Sequence, residues 1–71
     1  MAESIDARGL SCPEPVILTR GALERAGAGE EVVVLVDTMT QVYNCARAGE
    51  ALGWKAIWEE KGDVFEMRFR R

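Results

Sequence analysis

Hydrophobic and polar residues recur with two different periods along this 71-residue chain. Between Pro13 and about Ala26 the apolar residues follow the 3.6-residue period of a helix, which predicts an amphipathic first helix. Its predicted inner face consists of Val16, Leu18, Thr19, Ala22, Leu23 and Ala26. Gly27 and Gly29 follow directly and are expected to end this helix.

A second segment with helical period follows the middle of the chain. Thr38 or Thr40 is suited to cap this helix, which is predicted to run to Leu52 and to stop at Gly53. The residues expected on its inner face are Met39, Val42, Cys45, Ala46, Gly49 and Leu52. The chain therefore contains two predicted helices, each with one apolar face.

Strand patterns occupy the remaining segments. The segment 31–37 contains a continuous apolar run that is rich in β-branched residues, which predicts a central strand. Ile5 and Ala7 alternate with polar residues and predict a weaker first strand. Residues 54–59 and 65–69 alternate on either side of a turn at 60–63, which predicts a terminal hairpin.

The order of these elements, βαβαββ, defines the expected fold class. It predicts an α/β two-layer sandwich, with two helices packed on one face of a mixed four-stranded sheet. At this length we expect one domain spanning residues 1–71.

Charge and residue usage exclude several classes of function. A net charge of −3 argues against non-specific nucleic-acid binding, and the arginines at positions 68, 70 and 71 are interpreted as a solvated strand end. The apolar run Val32 to Val36 is far too short to span a bilayer. Two cysteines and no histidine exclude Cys/His zinc spacing and a disulfide framework, so we expect a cytoplasmic protein without metal or cofactor.

Cys12 is the residue that the sequence most clearly marks as chemically reactive. Pro13 suits the first turn of a helix and disfavours a helical conformation at the residue before it, which predicts Cys12 as the N-cap. Pro15 lacks an N–H, so the amides of Glu14 and Val16 are the expected partners of the sulfur. A helix N-terminus favours the thiolate, which is the nucleophilic form, whereas the Glu14 carboxylate opposes it.

The residues alone leave a second interpretation of Cys12 open, that of a small, buried and inert side chain. Cys45 lies within the apolar face of the second helix and is interpreted as core packing. Ile17 falls on the polar side of the first helix near Arg20, where it is either incidental or part of a docking surface. The tryptophans at positions 54 and 58 are interpreted as core aromatics.

The segment Asp6–Pro15 reads Asp-Ala-Arg-Gly-Leu-Ser-Cys-Pro-Glu-Pro. It resembles the Asp-x-x-Gly-Leu-x-Cys-Pro-x-Pro signature of the TusA/SirA/YedF family of small sulfur-carrier proteins. The resemblance extends over essentially the whole chain, in length and in element order. The Leu52-Gly53-Trp54 turn and the hairpin segment 59–62 look most like the YedF branch, which is linked to selenium metabolism.

The resemblance implies that Cys12 accepts a sulfane sulfur as a persulfide and passes it to an acceptor protein. It implies a cysteine desulfurase or a related protein as the donor and assigns the motif geometry to Gly9, Leu10, Pro13, Glu14 and Pro15. Such a relay needs no base, metal or organic cofactor. The segment 37–40 departs from the Asp/Pro-containing turn of many sulfur-relay members, which leaves the acceptor open.

Two other classes of function are compatible with the sequence. One is a regulatory or protein-interaction module in which the cysteine is incidental, and the other is a single-cysteine redox sensor. A selenium-related carrier is a variant of the first interpretation. For the carrier we expect a monomer that contacts a sulfur donor and an acceptor protein, without direct contact to nucleic acid or membrane.

Overall fold

The computed structural model describes residues 3–11, 13–27 and 29–71, and these form the predicted order βαβαββ. The elements are β1 (Glu3–Asp6), α1 (Glu14–Arg25), β2 (Glu31–Val36), α2 (Met39–Ala51), β3 (Lys55–Lys61) and β4 (Val64–Arg70). Cys12, for which the nucleophilic and N-cap roles were predicted, lies outside the described residues.

The four strands form one mixed sheet in the order β1-β2-β4-β3. β1 pairs with β2 in parallel, and the two other pairings are antiparallel. β2 is an interior strand, as its continuous apolar run predicts. Both helices pack on one face of this sheet and against each other, so the predicted α/β two-layer sandwich is confirmed.

The core lies between the helices and the inner face of the sheet. Along β2, Val32, Val34 and Val36 are fully buried, whereas the residues between them are half-buried because no helix covers the other face. Among the described residues, the other fully or nearly fully buried apolar side chains include Ala7, Pro15, Ala22, Leu23, Val42, Cys45, Trp54, Met67 and Phe69. Burial of these side chains is the main term that stabilises so small a fold.

Gly49 allows α2 to approach the sheet closely. A Cβ atom at this position would lie 2.6 Å from Cε2 of Phe69 and 3.4 Å from Cδ1 of Leu23. The shorter distance is below van der Waals contact, so the absence of a side chain is a packing requirement at this helix–sheet contact.

Three expectations about side chains and turns are wrong in detail. Leu18 is 41 % exposed, because it lies at the margin of the buried stripe that Thr19 and Ala22 occupy. Trp58 is 46 % exposed, since it lies on the edge strand β3, where the helices do not cover it fully. Its ring contacts the ring of Phe65 edge-on. The hairpin turn is shorter than predicted, because the strands continue to Lys61 and Val64.

Candidate functional site

The cysteine-bearing loop, residues 7–13, connects β1 to α1 at the carboxyl end of the parallel strand pair. Gly9 adopts a φ of +77°, a conformation that favours glycine. Its N–H donates a hydrogen bond of 2.8 Å to Oδ2 of Asp37, the residue directly after β2. The loop is therefore hydrogen-bonded to the neighbouring β2–α2 junction at Gly9, three positions before residue 12 in the sequence.

A second hydrogen bond ties the same loop to α2. The side chain of Gln41 donates from Nε2 to the Leu10 carbonyl at 2.6 Å. Gln41 occupies the first turn of α2, where its own backbone N–H is bound by the Thr38 hydroxyl, so Thr38 is the cap of the two predicted alternatives. Two consecutive loop residues, Gly9 and Leu10, are therefore hydrogen-bonded to residues that lie far from them in the sequence.

The first helix begins one residue later than predicted. Pro13, and not Cys12 as predicted, takes the N-cap position, with φ −100° and ψ 14°, and Pro15 lies within the first turn. The Glu14 amide donates to the Ser11 carbonyl at 2.9 Å, and the Ile17 amide bonds the Pro13 carbonyl at 3.1 Å. The Glu14 N–H therefore closes the turn with Ser11, while its predicted contact with the Cys12 sulfur involves a residue outside the described part of the chain.

An ion pair stands at the entrance to the loop. Arg8 donates to both carboxylate oxygens of Asp6, at 2.8 and 2.7 Å, and this hydrogen bonding lowers the pKa of Asp6 to about 2. The pKa of Arg8 is raised in turn, chiefly by the hydrogen bond to Asp6 and further by the charges of Asp6 and Asp37. The Arg8 guanidinium is therefore hydrogen-bonded to the Asp6 carboxylate and also interacts with the charge of Asp37.

Ile17 and Arg20 lie together on the outer side of α1. Ile17 is 61 % exposed, and both residues line a shallow cavity of about 290 Å³ together with Gly21 and Glu24. This cavity starts one turn after the beginning of α1, and we name it the α1 groove. The structure thus shows that Ile17 is an exposed apolar side chain, as both sequence interpretations of this residue require.

Cys45 is in a different environment. Its side chain is fully buried in the core, and the hydroxyl of Thr19 on α1 donates to its sulfur at 3.5 Å. The expectation of core packing at Cys45 is therefore confirmed.

Asp37 and Gln41 are the residues of this region that sequence patterns did not single out. Asp37 directly follows a buried strand, and parallel strands bring their carboxyl ends to the same edge of a sheet, so its proximity to the loop had a detectable signal. Gln41 had none, because a glutamine three residues after a threonine cap ordinarily turns back toward that cap.

The described residues give no indication of a metal site or a membrane span. Among them, no group of three or more potential metal ligands comes together. No helix in the described part of the chain is long and apolar enough to cross a membrane.

Comparison with known proteins identifies the family of this chain. The model of the family described as "Sulfurtransferase TusA" matches residues 3–71. The chain belongs to the TusA family. The match covers both helices and all four strands given above, including the loop around position 12.

Two archaeal relatives and one solved structure agree with membership of the TusA family. A protein of Methanocaldococcus jannaschii named "Putative sulfur carrier protein" is 35 % identical over 68 residues, covering 96 % of this chain and 87 % of the relative. A protein of the same name from Archaeoglobus fulgidus is 31 % identical over 67 residues, covering 94 % and 87 %. The crystal structure of a SirA-like protein from Desulfitobacterium hafniense matches with a TM-score of 0.86 and 38 % identity, covering 97 % of this chain and 95 % of that one.

These matches support a sulfur-carrier role for this TusA-family chain, and with it contact with sulfur donor and acceptor proteins in general.

Proposed function

We propose that this protein carries a sulfane sulfur as a persulfide on Cys12, taking it from a donor protein and passing it to an acceptor. The observation that carries the proposal is a cysteine in a loop that two hydrogen bonds, from Gly9 to Asp37 and from Gln41 to Leu10, anchor at the start of α1. A carrier must present its sulfur to two partners in succession, and a braced loop at one edge of the sheet suits that task.

The transfer is a thiol exchange at sulfur. The Cys12 thiolate attacks the outer sulfur of a donor persulfide, forming a new S–S bond as the bond between the two donor sulfurs breaks. The donor cysteine leaves as a thiolate with the electron pair of the broken bond, and the transferred sulfur keeps its proton or releases it to solvent. An acceptor nucleophile then attacks the same outer sulfur, which regenerates the Cys12 thiolate without net oxidation.

Sulfur loading tests the proposal directly. After incubation with a cysteine desulfurase and cysteine, we expect the protein to gain one sulfur atom on Cys12, which dithiothreitol removes. Cys12→Ser should gain none. Cys45→Ser is the matched control and should load normally, since Cys45 is buried in the core.

Intact-protein mass spectrometry with peptide mapping gives the result. Absence of added sulfur with several donors, or equal loading of Cys12→Ser, would overturn the carrier proposal. Reversible oxidation of Cys12 by peroxide without sulfur uptake would indicate a redox sensor instead. Loading from a selenium donor in preference to a sulfur donor would instead favour the selenium-related carrier, the variant suggested by the resemblance of the Leu52-Gly53-Trp54 turn to the YedF branch.

We further propose that the donor docks on the α1 groove, with Ile17 and Arg20 in contact. Ile17→Asp should leave stability within about 0.5 kcal/mol of the native value, because the side chain is exposed. It should slow sulfur loading by at least about tenfold, as expected when an apolar anchor of an interface is lost.

The matched control is Ile57→Asp. Ile57 is 58 % exposed, similar to Ile17, but lies on the sheet face that the helices leave open. Loading rates measured by mass spectrometry over a series of donor concentrations should separate the two variants. Equal effects at both positions, or none at Ile17, would exclude the α1 groove as the docking surface.

A further inference from the structure

Among the residues that the structure describes, the Gln41 side chain is hydrogen-bonded through only one of its two polar atoms. The residue is 7 % exposed, and its Nε2 lies 2.6 Å from the Leu10 carbonyl. Its Oε1 is buried and has no hydrogen-bond partner among the described residues. Because the Leu10 carbonyl can only accept, the hydrogen bond fixes which end of the carboxamide faces the loop.

This arrangement is unfavourable as a purely stabilising contact. A buried acceptor without a partner costs free energy, which an apolar side chain of similar size would avoid. The helix does not require the glutamine either, since Thr38 caps the Gln41 amide through its own hydroxyl. Buried polar groups that are only partly satisfied concentrate where a site needs them.

The hydrogen bond that the Gln41 side chain makes within the described part of the chain is to the cysteine-bearing loop. Leu10 is two residues before Cys12, and Gly9 beside it is held by Asp37 at 2.8 Å. Asp37 anchors an N–H and Gln41 anchors a C=O. Together they fix both the position and the direction of the peptides that lead into residue 12, and Gln41 is the anchor nearer to it in sequence.

We infer that Gln41 is a positioning residue of the sulfur site, which acts through the Leu10 carbonyl to set the path of the loop into Cys12. The inference rests on the proposed function, because it assigns the residue a task at the reactive cysteine. Loss of this anchor leaves the fold in place and lets the loop vary, so that Cys12 is less well placed at the start of α1.

The test is the pH profile of Cys12 alkylation by iodoacetamide in Gln41→Met, which keeps the length of the side chain and removes both polar atoms. We expect an unfolding midpoint close to the native one. The alkylation midpoint should rise by about one pH unit, equivalent to about tenfold slower reaction below the midpoint. Thr40→Met, an exposed position on the same helical turn, is the matched control and should keep the native profile.

Gln41→Glu supplies a second variant of the same shape. This variant loses the N–H donor and adds a negative charge beside the loop, so the alkylation midpoint of Cys12 should rise at least as far as in Gln41→Met. If Gln41→Met does not fold, Gln41→Glu decides the test. Native profiles in the folded Gln41 variants would overturn the inference. Failure of the proposed function looks different, because the wild-type protein would then titrate as an ordinary thiol and gain no sulfur.

Discussion

Cys12 is expected to react with iodoacetamide at least about a thousandfold faster than Cys45 in the folded protein. Cys45 is fully buried in the core, so a reagent reaches it only when the structure opens. An opening free energy of about 5 kcal/mol or more suppresses reaction by about 10³-fold or more. Cys12 needs no such opening if it has the position that its motif and the anchored loop predict.

The measurement is alkylation against time and pH, quenched and mapped by peptide mass spectrometry. In denaturant the two cysteines should react at similar rates, which provides the internal reference. Thr19→Val removes the hydroxyl that lies 3.5 Å from the Cys45 sulfur and should leave the reactivity of Cys12 unchanged. Faster modification of Cys45 than of Cys12 in the native protein would show that the site is assigned to the wrong cysteine.

Gly49→Ala is expected to destabilise the fold by up to about 2 kcal/mol, although alanine is the better helix former. The substitution gains about 1 kcal/mol of helix propensity. It also places a Cβ 2.6 Å from the Phe69 ring in a packed core, and such overpacking costs about 1–3 kcal/mol or more. The steric term exceeds the propensity gain, because a ring buried against the sheet has little room to move.

Gly21→Ala is the matched control within α1. The nearest atom to a Cβ there is Nη1 of Arg25, at 3.3 Å, which is the end of a flexible side chain that can move away. This variant should gain up to about 1 kcal/mol. Urea unfolding compares the two, and Phe69→Leu should recover part of the loss in Gly49→Ala. A Gly49→Ala protein as stable as Gly21→Ala would contradict the packing described at this contact.

The fold was predictable because its signals are periodic. The 3.6-residue periods indicated the two helices, and the uninterrupted apolar run Val32 to Val36 indicated an interior strand. Where side-chain burial differs from the prediction, the cause is tertiary packing. Leu18 lies at the margin of the buried stripe of α1, and Trp58 lies on the edge strand β3. Periodicity locates a face, but it does not say how far the neighbouring element extends over it.

The candidate site was only partly accessible from the sequence. The Cys12-Pro13-Glu14-Pro15 segment signals a special helix start, but the use of the Glu14 amide by Ser11 depends on local turn geometry. The anchors Asp37 and Gln41 are separated from their loop partners by 28 and 31 positions. The contact of Asp37 follows from the parallel pairing of β1 with β2, whereas no local pattern specifies the contact of Gln41.

The strand pairing determines on which side of the sheet a tag or a fused protein would be attached to this molecule. Glu3 is paired with Val32 and Arg70 with Glu31, so both described ends of the chain lie at the same edge of the sheet. The cysteine-bearing loop follows the opposite ends of these strands, about 20 Å away for six residues of strand. A tag, a tether or a fused protein attached at either end would leave the sulfur site facing outward, so immobilised or fused forms should remain open to both partners.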